Sequence, residues 1–197
     1  MFHDRLRALA KPILDPVARV LHKLHITPNQ VTVFGFILTS LAAVLISQGR
    51  MLAGGVVLAM GAALDAVDGY LARVAYQESP FGAFLDSTLD RLSEVVVYLG
   101  LLVNALHHGN DAQAILVFAA VTSSLMVSYS RARAEGLQAH VKVGLGARPE
   151  RLFLLIVGLL LNQVTFALWV IFLLASFTVF QRIFWVWRRL ETADNPE

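Results

Sequence analysis

Residues 65–90 read DAVDGYLARVAYQESPFGAFLDSTLD and separate two long apolar runs of the chain. Asp65 and Asp68 are three residues apart, and Asp86 and Asp90 are four apart. Because a helix turns by about 100° per residue, each pair lies on one helix face, and two helices can bring four carboxylates to a common point. Near the middle of a membrane each charge would cost about 2.5–3.5 kcal/mol. Divalent cations, which prefer oxygen ligands, are therefore the expected partners of this cluster.

The composition is that of an integral membrane protein. Of the 197 residues, 57% are hydrophobic, which exceeds the usual share in soluble domains. The formal net charge of +2 is too small to indicate a nucleic-acid partner, and a membrane surface accounts for the basic residues. The chain has no cysteine, which excludes disulfides, thiolate catalysis and cysteine–zinc sites. We expect one all-α domain over residues 1–197 in a lipid bilayer.

The hydropathy pattern predicts a six-transmembrane-helix bundle over residues 31–187, without strands. Before it, residues 2–24 alternate basic and apolar positions at helical spacing, which predicts an amphipathic juxtamembrane helix on the membrane surface. Thr27 and Pro28 carry the capping signals of the first span. The predicted spans are residues 31–47, 52–71, 82–105, 112–127, 148–161 and 166–185.

Lysine and arginine are distributed unevenly between the two ends of these spans. Of the sixteen Lys and Arg residues, only Arg50 falls in the turns at 48–51, 106–111 and 162–165. By the positive-inside rule, both termini and the acidic motif are expected on the cytoplasmic side. The expected location is the cell (plasma) membrane.

The acidic motif has the composition of a phosphoryl-transfer site. Four carboxylates from two helices could hold two Mg²⁺ or Mn²⁺ ions, an arrangement that binds both the attacking and the leaving oxygen. Gly69 and Gly82 lie beside the acids, where a missing side chain lets a phosphate-bearing ligand approach the backbone. Arg73 can reach a diphosphate oxygen. The alternative, that the acids only pair with Arg73 and Arg91, leaves two of four carboxylates without a partner.

The motif resembles the signature of a known family. The pattern DxxDGxxARx₈GxxxDxxxD over residues 65–90 is similar to that of the CDP-alcohol phosphatidyltransferases at every defined position. The resemblance implies a cytoplasmic leader helix, six spans and a homodimer. It implies that Asp65 and Asp86 bridge two metal ions, that Asp68 completes one site, and that Asp90 completes the other and acts as the base.

The resemblance also implies a site for CDP-diacylglycerol or a related CDP-alcohol. Its contacts would come from Gly69, Arg73 and Ser79, and from the stretch that begins the first span, Asn29, Gln30, Val31 and Thr32.

A second basic group bears on the acceptor. SYSRARAEG at 128–136 and RPER at 148–151 resemble the phosphatidylinositol-phosphate synthases of actinobacteria and related archaeal enzymes. The resemblance implies that a phosphorylated polyol, inositol 1-phosphate, is bound by the arginines of this group, which are Arg131, Arg133, Arg151 and Arg182. A glycerol 3-phosphate acceptor would need a similar pocket, so the arginines leave that choice open. Arg182 could instead pair with an acid such as Glu94.

Two other function classes share some of these features. A membrane prenyltransferase also uses aspartates and Mg²⁺, but six spans in 197 residues are few for that class. A cation transporter would place carboxylates along a route through the midplane, whereas the predicted carboxylates gather at one face. For the homodimer, the third and fourth predicted spans offer apolar faces such as Val95, Leu99 and Val103.

Overall fold

The computed structural model describes residues 23–74, 79–139, 141 and 143–194, together with positions 16, 20 and 21. The regular structure in these residues is helical, without strands. The predicted amphipathic helix over 2–24 lies almost entirely outside the described residues. The helices whose full bounds lie in the described residues are α1 (Pro28–Ser47), α2 (Met51–Val74), α3 (Pro80–His107), α4 (Asp111–Gly136), α5 (Arg148–Leu160) and α6 (Val164–Asp194).

The starts of α1 and α3 follow from local sequence signals. Thr27 caps α1 in a capping box with Gln30, and Pro28 occupies the first turn, which confirms the predicted cap. The hydroxyl of Ser79 accepts from the backbone N–H of Gly82 at the start of α3. α3 therefore begins two residues before the predicted boundary at Gly82.

Four of the helices are long and apolar enough to cross a membrane. They are Pro28–Ser47, Met51–Ala72, Asp111–Gly136 and Val164–Glu191. By length and composition the other two predicted spans do not reach this standard. α5 has 13 residues, a length of about 20 Å against a hydrocarbon core of about 30 Å. α3 is long enough, but its first 15 residues include Asp86, Asp90, Arg91 and Glu94.

The outer surface of the bundle suits a lipid environment. On α1, Phe34, Ile37, Leu41 and Val44 are each about half exposed and follow one another at helical spacing along one face. On α6, large apolar side chains such as Phe180 are likewise exposed. These outward apolar faces agree with a membrane protein, because lipid rather than water would cover them.

The helices pack in two groups that share one core. α1 packs against α2 and α3, while α4 packs against α6. α3 joins α4, and α5 lies against both α2 and α6. Many of their buried apolar side chains form one large cluster that includes Ile46, Leu58, Tyr98, Val117 and Leu168.

Glycines allow close helix contacts in this bundle, because a residue without a side chain lets two backbones approach each other. A Cβ on Gly61 of α2 would lie 2.8 Å from Thr39 Oγ1 of α1. A Cβ on Gly100 of α3 would collide with the backbone carbonyl oxygen of Ala43 in α1. A backbone atom cannot move aside as a flexible side chain can, so α1 and α3 would have to separate.

We therefore expect Gly100→Ala to lower stability by about 1–3 kcal/mol, the usual cost of overpacking. Gly136→Ala is the matched control, because no atom lies within 4 Å of the added Cβ. The control should change stability by less than about 0.5 kcal/mol. Thermal unfolding in detergent measures both, and equal melting temperatures for the two variants would contradict the close contact of α1 and α3.

Candidate active site

The four predicted aspartates lie at one end of the α2–α3 pair. Asp65 and Asp68 stand near the end of α2, and Asp86 and Asp90 near the start of α3. Asp65 and Asp86 repel each other, Asp68 is repelled by both, and so is Asp90. In the described residues, no three metal-binding side chains converge closely enough to hold an ion as they stand. The carboxylates are gathered at one place but are partly engaged with protein groups.

Arg148, the first residue of α5, lies between α2 and α3. Its Nη2 is 2.8 Å from Asp65 Oδ2, and its Nη1 is 2.8 Å from Asp90 Oδ1. The three side chains are 17–22% exposed. The predicted partner Arg91 is less engaged, because its Nη1 is 3.8 Å from Asp90 Oδ2 and donates to the Ser87 carbonyl at 2.6 Å. Among the side chains that the structure describes, the positive charge in the cluster is thus mainly that of Arg148.

Asp68 and Asp86 face an open cavity. The hydroxyl of Thr32 lies 2.7 Å from Asp68 Oδ2 and donates to it, which holds the mostly buried carboxylate in place. Both aspartates line a cavity of about 230 Å³ between the ends of α1, α2 and α3. Carboxylate oxygens at the wall of a cavity are the ligand type that Mg²⁺ and Mn²⁺ prefer, so the donor set fits such ions.

The same cavity contains four of the seven residues predicted to bind the CDP-lipid. They are Asn29, Thr32, Gly69 and Ser79. Close beside them, a Cβ on Gly82 would lie 3.0 Å from Ser79 Oγ and 3.1 Å from Asn29 Oδ1. A side chain at this position would therefore crowd the wall of the cavity.

Of the three other predicted CDP contacts, Gln30 and Val31 have different surroundings. Gln30 is exposed and serves the helix cap. Val31 is buried and packs in a small apolar cluster with Leu71. The side chain of Arg73 is outside the described residues.

Arg151 of the basic group is buried in an ion pair with Glu94. Its Nε and Nη2 each donate to a Glu94 carboxylate oxygen at 2.9 Å. Its Nη1 donates to the Gly146 carbonyl at 2.6 Å. The side chains of Arg151 and Glu94 are only 1% and 9% exposed. Glu94 therefore has a partner from α5, and the alternative that pairs it with Arg182 of α6 is not what the structure contains.

Arg182 is 5% exposed and contacts the protein through main-chain carbonyls. Its Nε donates to Val143 at 3.2 Å, and its Nη1 donates to Val127. Arg131 and Arg151 both repel it. A buried guanidinium near two other cations is suited to an anionic ligand.

The other two arginines of the basic group lie at the end of α4. Arg131 is exposed and forms an ion pair with Glu135 at 2.9 Å. Arg133 is also exposed and lines a cavity of about 350 Å³ together with Arg182. The rest of that lining is largely apolar, with Tyr129 and Trp187 among its members.

Two residues of this site were missed by sequence reasoning. The sequence places Arg148 only in the RPER stretch of the basic group, without a role of its own, and Glu94 only as a possible partner of Arg182. A signal was present, because Asp90 and Glu94 are four apart and Arg148 and Arg151 three apart, so each pair shares a helix face. The sequence alone does not show that these faces of α3 and α5 contact each other.

Comparison with known proteins agrees with this geometry. Residues 25–186 match the family model for CDP-alcohol phosphatidyltransferases. The chain belongs to the CDP-alcohol phosphatidyltransferase family. It is therefore an enzyme of phospholipid biosynthesis, and the resemblance seen in the motif is confirmed.

Similar members of the family extend over nearly the whole chain. An archaetidylinositol phosphate synthase of Pyrococcus horikoshii is 36% identical over 189 residues, covering 95% of this chain and 98% of its own. A phosphatidylinositol phosphate synthase of Corynebacterium glutamicum is 35% identical over 187 residues, covering 90% and 85%.

A solved structure shares the fold. The Mycobacterium tuberculosis phosphatidylinositol phosphate synthase with CDP-DAG bound has a TM-score of 0.83 and 30% identity, covering 89% of this chain and 94% of that one. A second structure of the same enzyme, in complex with manganese and citrate, also has a TM-score of 0.83 at 30% identity and covers 88% of each chain.

The Arg151–Glu94 pair yields a test of the role of Arg151. Arg151→Met leaves a buried carboxylate without a partner, and we expect a loss of about 3–5 kcal/mol. Arg151→Met combined with Glu94→Leu should recover most of that loss. Arg131→Met is the control and should cost at most about 1 kcal/mol, because its ion pair is exposed.

Thermal unfolding of the four proteins provides the measurement. If Arg151→Met were as stable as Arg131→Met, Arg151 would not be the structural partner of Glu94.

Proposed function

We propose that this enzyme transfers a phosphatidyl group from CDP-diacylglycerol, or a related CDP-alcohol, to a hydroxyl of inositol 1-phosphate and releases CMP. The observation that carries the proposal is the cavity whose wall contains four of the expected nucleotide contacts together with Asp68 and Asp86. A nucleotide-lipid in that cavity would have its diphosphate beside the carboxylates. The synthases named above, which are similar over nearly the whole chain, support inositol phosphate as the acceptor.

The carboxylates would hold two divalent cations, Mg²⁺ or Mn²⁺. Asp65 and Asp86 would contact both ions, Asp68 one and Asp90 the other. When bound, such ions neutralise the diphosphate and stabilise charge on the attacking and leaving oxygens. The Thr32 hydroxyl, 2.7 Å from Asp68, would keep that carboxylate turned toward the cavity.

The transfer needs no covalent enzyme intermediate. The acceptor hydroxyl oxygen forms a bond to the phosphorus on the lipid side, and the bond from that phosphorus to the CMP oxygen breaks. CMP leaves with the bonding electrons, and Asp90 takes the proton of the hydroxyl. The remaining residues bind and orient the two substrates, which supplies most of the rate enhancement in reactions of this kind.

The acceptor phosphate would meet the basic group. Arg182 is the main candidate, because it is buried, is repelled by two other arginines, and contacts the protein through carbonyls. Arg131 and Arg133 would approach from the end of α4. Arg151 would add a donor from the guanidinium that Glu94 holds, since its Nη1 and Nη2 each have a second N–H group.

In the membrane, we propose that residues 31–187 form six spans, with α3 and α5 completing the set among the four longer apolar helices. A juxtamembrane helix over 2–24 would lie on the cytoplasmic leaflet of the plasma membrane. Both termini and the site would face the cytoplasm. The three turns at the opposite end of the spans contain a single lysine or arginine, Arg50, and this distribution supports the orientation. Two copies would associate through apolar faces of α3 and α4 around Leu99, a side chain that is 53% exposed.

The function is tested by CMP release with separate acceptors. Purified protein with CDP-diacylglycerol and Mg²⁺ is offered inositol 1-phosphate, inositol, glycerol 3-phosphate or serine. We expect CMP with inositol 1-phosphate, and we expect Asp86→Asn to abolish it. Asp111→Asn, a change at the exposed start of α4, is the control and should keep activity. Release with glycerol 3-phosphate instead would leave the reaction class intact and overturn the acceptor.

The acceptor pocket is tested through Arg182. A charge-assisted contact contributes about 1.5–3 kcal/mol, so Arg182→Gln should raise the KM for inositol 1-phosphate by about one to two orders of magnitude. The KM for CDP-diacylglycerol should change little. Arg50→Gln removes the same charge at a distant turn and should change neither value. An equal rise in both KM values for Arg182→Gln would reject its role as an acceptor ligand.

A further inference from the structure

Two arginines of α5 meet two acids of α3 in matching order. Arg148 contacts Asp90, and Arg151 contacts Glu94. The acids are one turn apart on α3, and the arginines are one turn apart on α5. The ion pairs differ in surroundings, because the side chain of Arg151 is 1% exposed whereas that of Arg148 is 22% exposed.

The guanidinium of Arg148 is divided between two helices. One nitrogen contacts Asp65 of α2 and the other contacts Asp90 of α3, each at 2.8 Å. Both carboxylates belong to the proposed metal site. A divalent cation bound to the same two carboxylates would lie within a few ångströms of the guanidinium, and the two positive charges would repel each other.

We propose that Arg148 competes with the divalent cations for Asp65 and Asp90, so that metal binding displaces its side chain from the carboxylate cluster. The proposal rests on the proposed function, in which these aspartates are metal ligands. Arg148 is then a positioning residue. It offsets part of the negative charge of the carboxylates and keeps α2 and α3 at their spacing. Bound cations would then do both instead.

The exchange can be local, because α5 is held by other contacts. The buried Arg151–Glu94 pair fixes α5 against α3 one turn below Arg148. The loop before α5 is held to α6, since the backbone N–H of Gly146 donates to Thr178 Oγ1 at 3.0 Å. The Arg148 side chain can therefore leave the cluster while the helix that carries it stays in place.

Competition makes a prediction about metal affinity that does not depend on turnover. In Arg148→Met no guanidinium has to be displaced, so the dissociation constant for Mn²⁺ should fall at least tenfold, or about 1.4 kcal/mol. The melting temperature without metal should fall, because the carboxylates then repel each other without a counter-charge. Mn²⁺ titration followed by electron paramagnetic resonance, together with thermal unfolding of the protein in detergent, measures both.

Arg91→Met is the matched control. It removes the same charge beside the same Asp90, but from a side chain 3.8 Å away that donates elsewhere. Its Mn²⁺ affinity should stay within threefold of that of the parent protein. Arg148→Lys carries the test if Arg148→Met fails to fold. An ammonium group cannot span two carboxylates as the planar guanidinium does. The Mn²⁺ affinity of Arg148→Lys should therefore still rise at least threefold.

The outcomes separate this proposal from the proposed function. If Asp65→Asn and Asp86→Asn abolish Mn²⁺ binding while Arg148→Met and Arg148→Lys leave it unchanged or weaker, competition is overturned and the metal site stands. If Arg91→Met raises the affinity as much as Arg148→Met does, general charge removal explains the effect, and competition is again overturned. If the aspartate variants bind Mn²⁺ as the parent does, the metal site falls together with the competition.

Discussion

The structure depends on the neutralisation of carboxylates at one end of an apolar bundle. Five acids lie along the facing parts of α2 and α3, and their mutual repulsion would drive these helices apart. Two arginines at the start of α5 contact three of the five, which are Asp65, Asp90 and Glu94. A helix of only 13 residues therefore has a defined task, since it carries positive charge into the place where the longer helices bring negative charge together.

The arginine contacts of α5 belong to a helix that packs against elements of both cavities described above. The cavity for the CDP-lipid lies among α1, α2 and α3, and the one beside Arg182 lies between α4 and α6. α5 packs against both α2 and α6 and so links the two groups of helices. Because the Arg151–Glu94 pair is buried, water does not compete for its hydrogen bonds. The pair therefore holds α5 rigidly against α3.

Much of the site could be predicted because it is local. The spacing of the four aspartates requires only helical periodicity, and the Thr27 cap requires only its neighbours. Arg148 and Glu94 could not be assigned, because their roles depend on where α5 returns to the bundle after a loop of eleven residues, 137–147. The charges that build the site also lower the hydropathy of α3, which is long enough to cross a membrane but is not recognisable as a span by composition. A functional requirement thus obscured the signal on which the prediction of spans relies.

The division of labour among the arginines follows from what each can contact. Arg151 uses three of its nitrogens on Glu94 and Gly146, so its first role is to join helices. Arg182 donates to carbonyl oxygens rather than to a carboxylate, and an anion would gain most there. Arg148 lies between these cases, because its carboxylate partners are also the best ligands for a cation. Arg148 is therefore the arginine that can change partner when metal binds to Asp65 and Asp90. The buried pair of Arg151 and Glu94 keeps the helices fixed meanwhile.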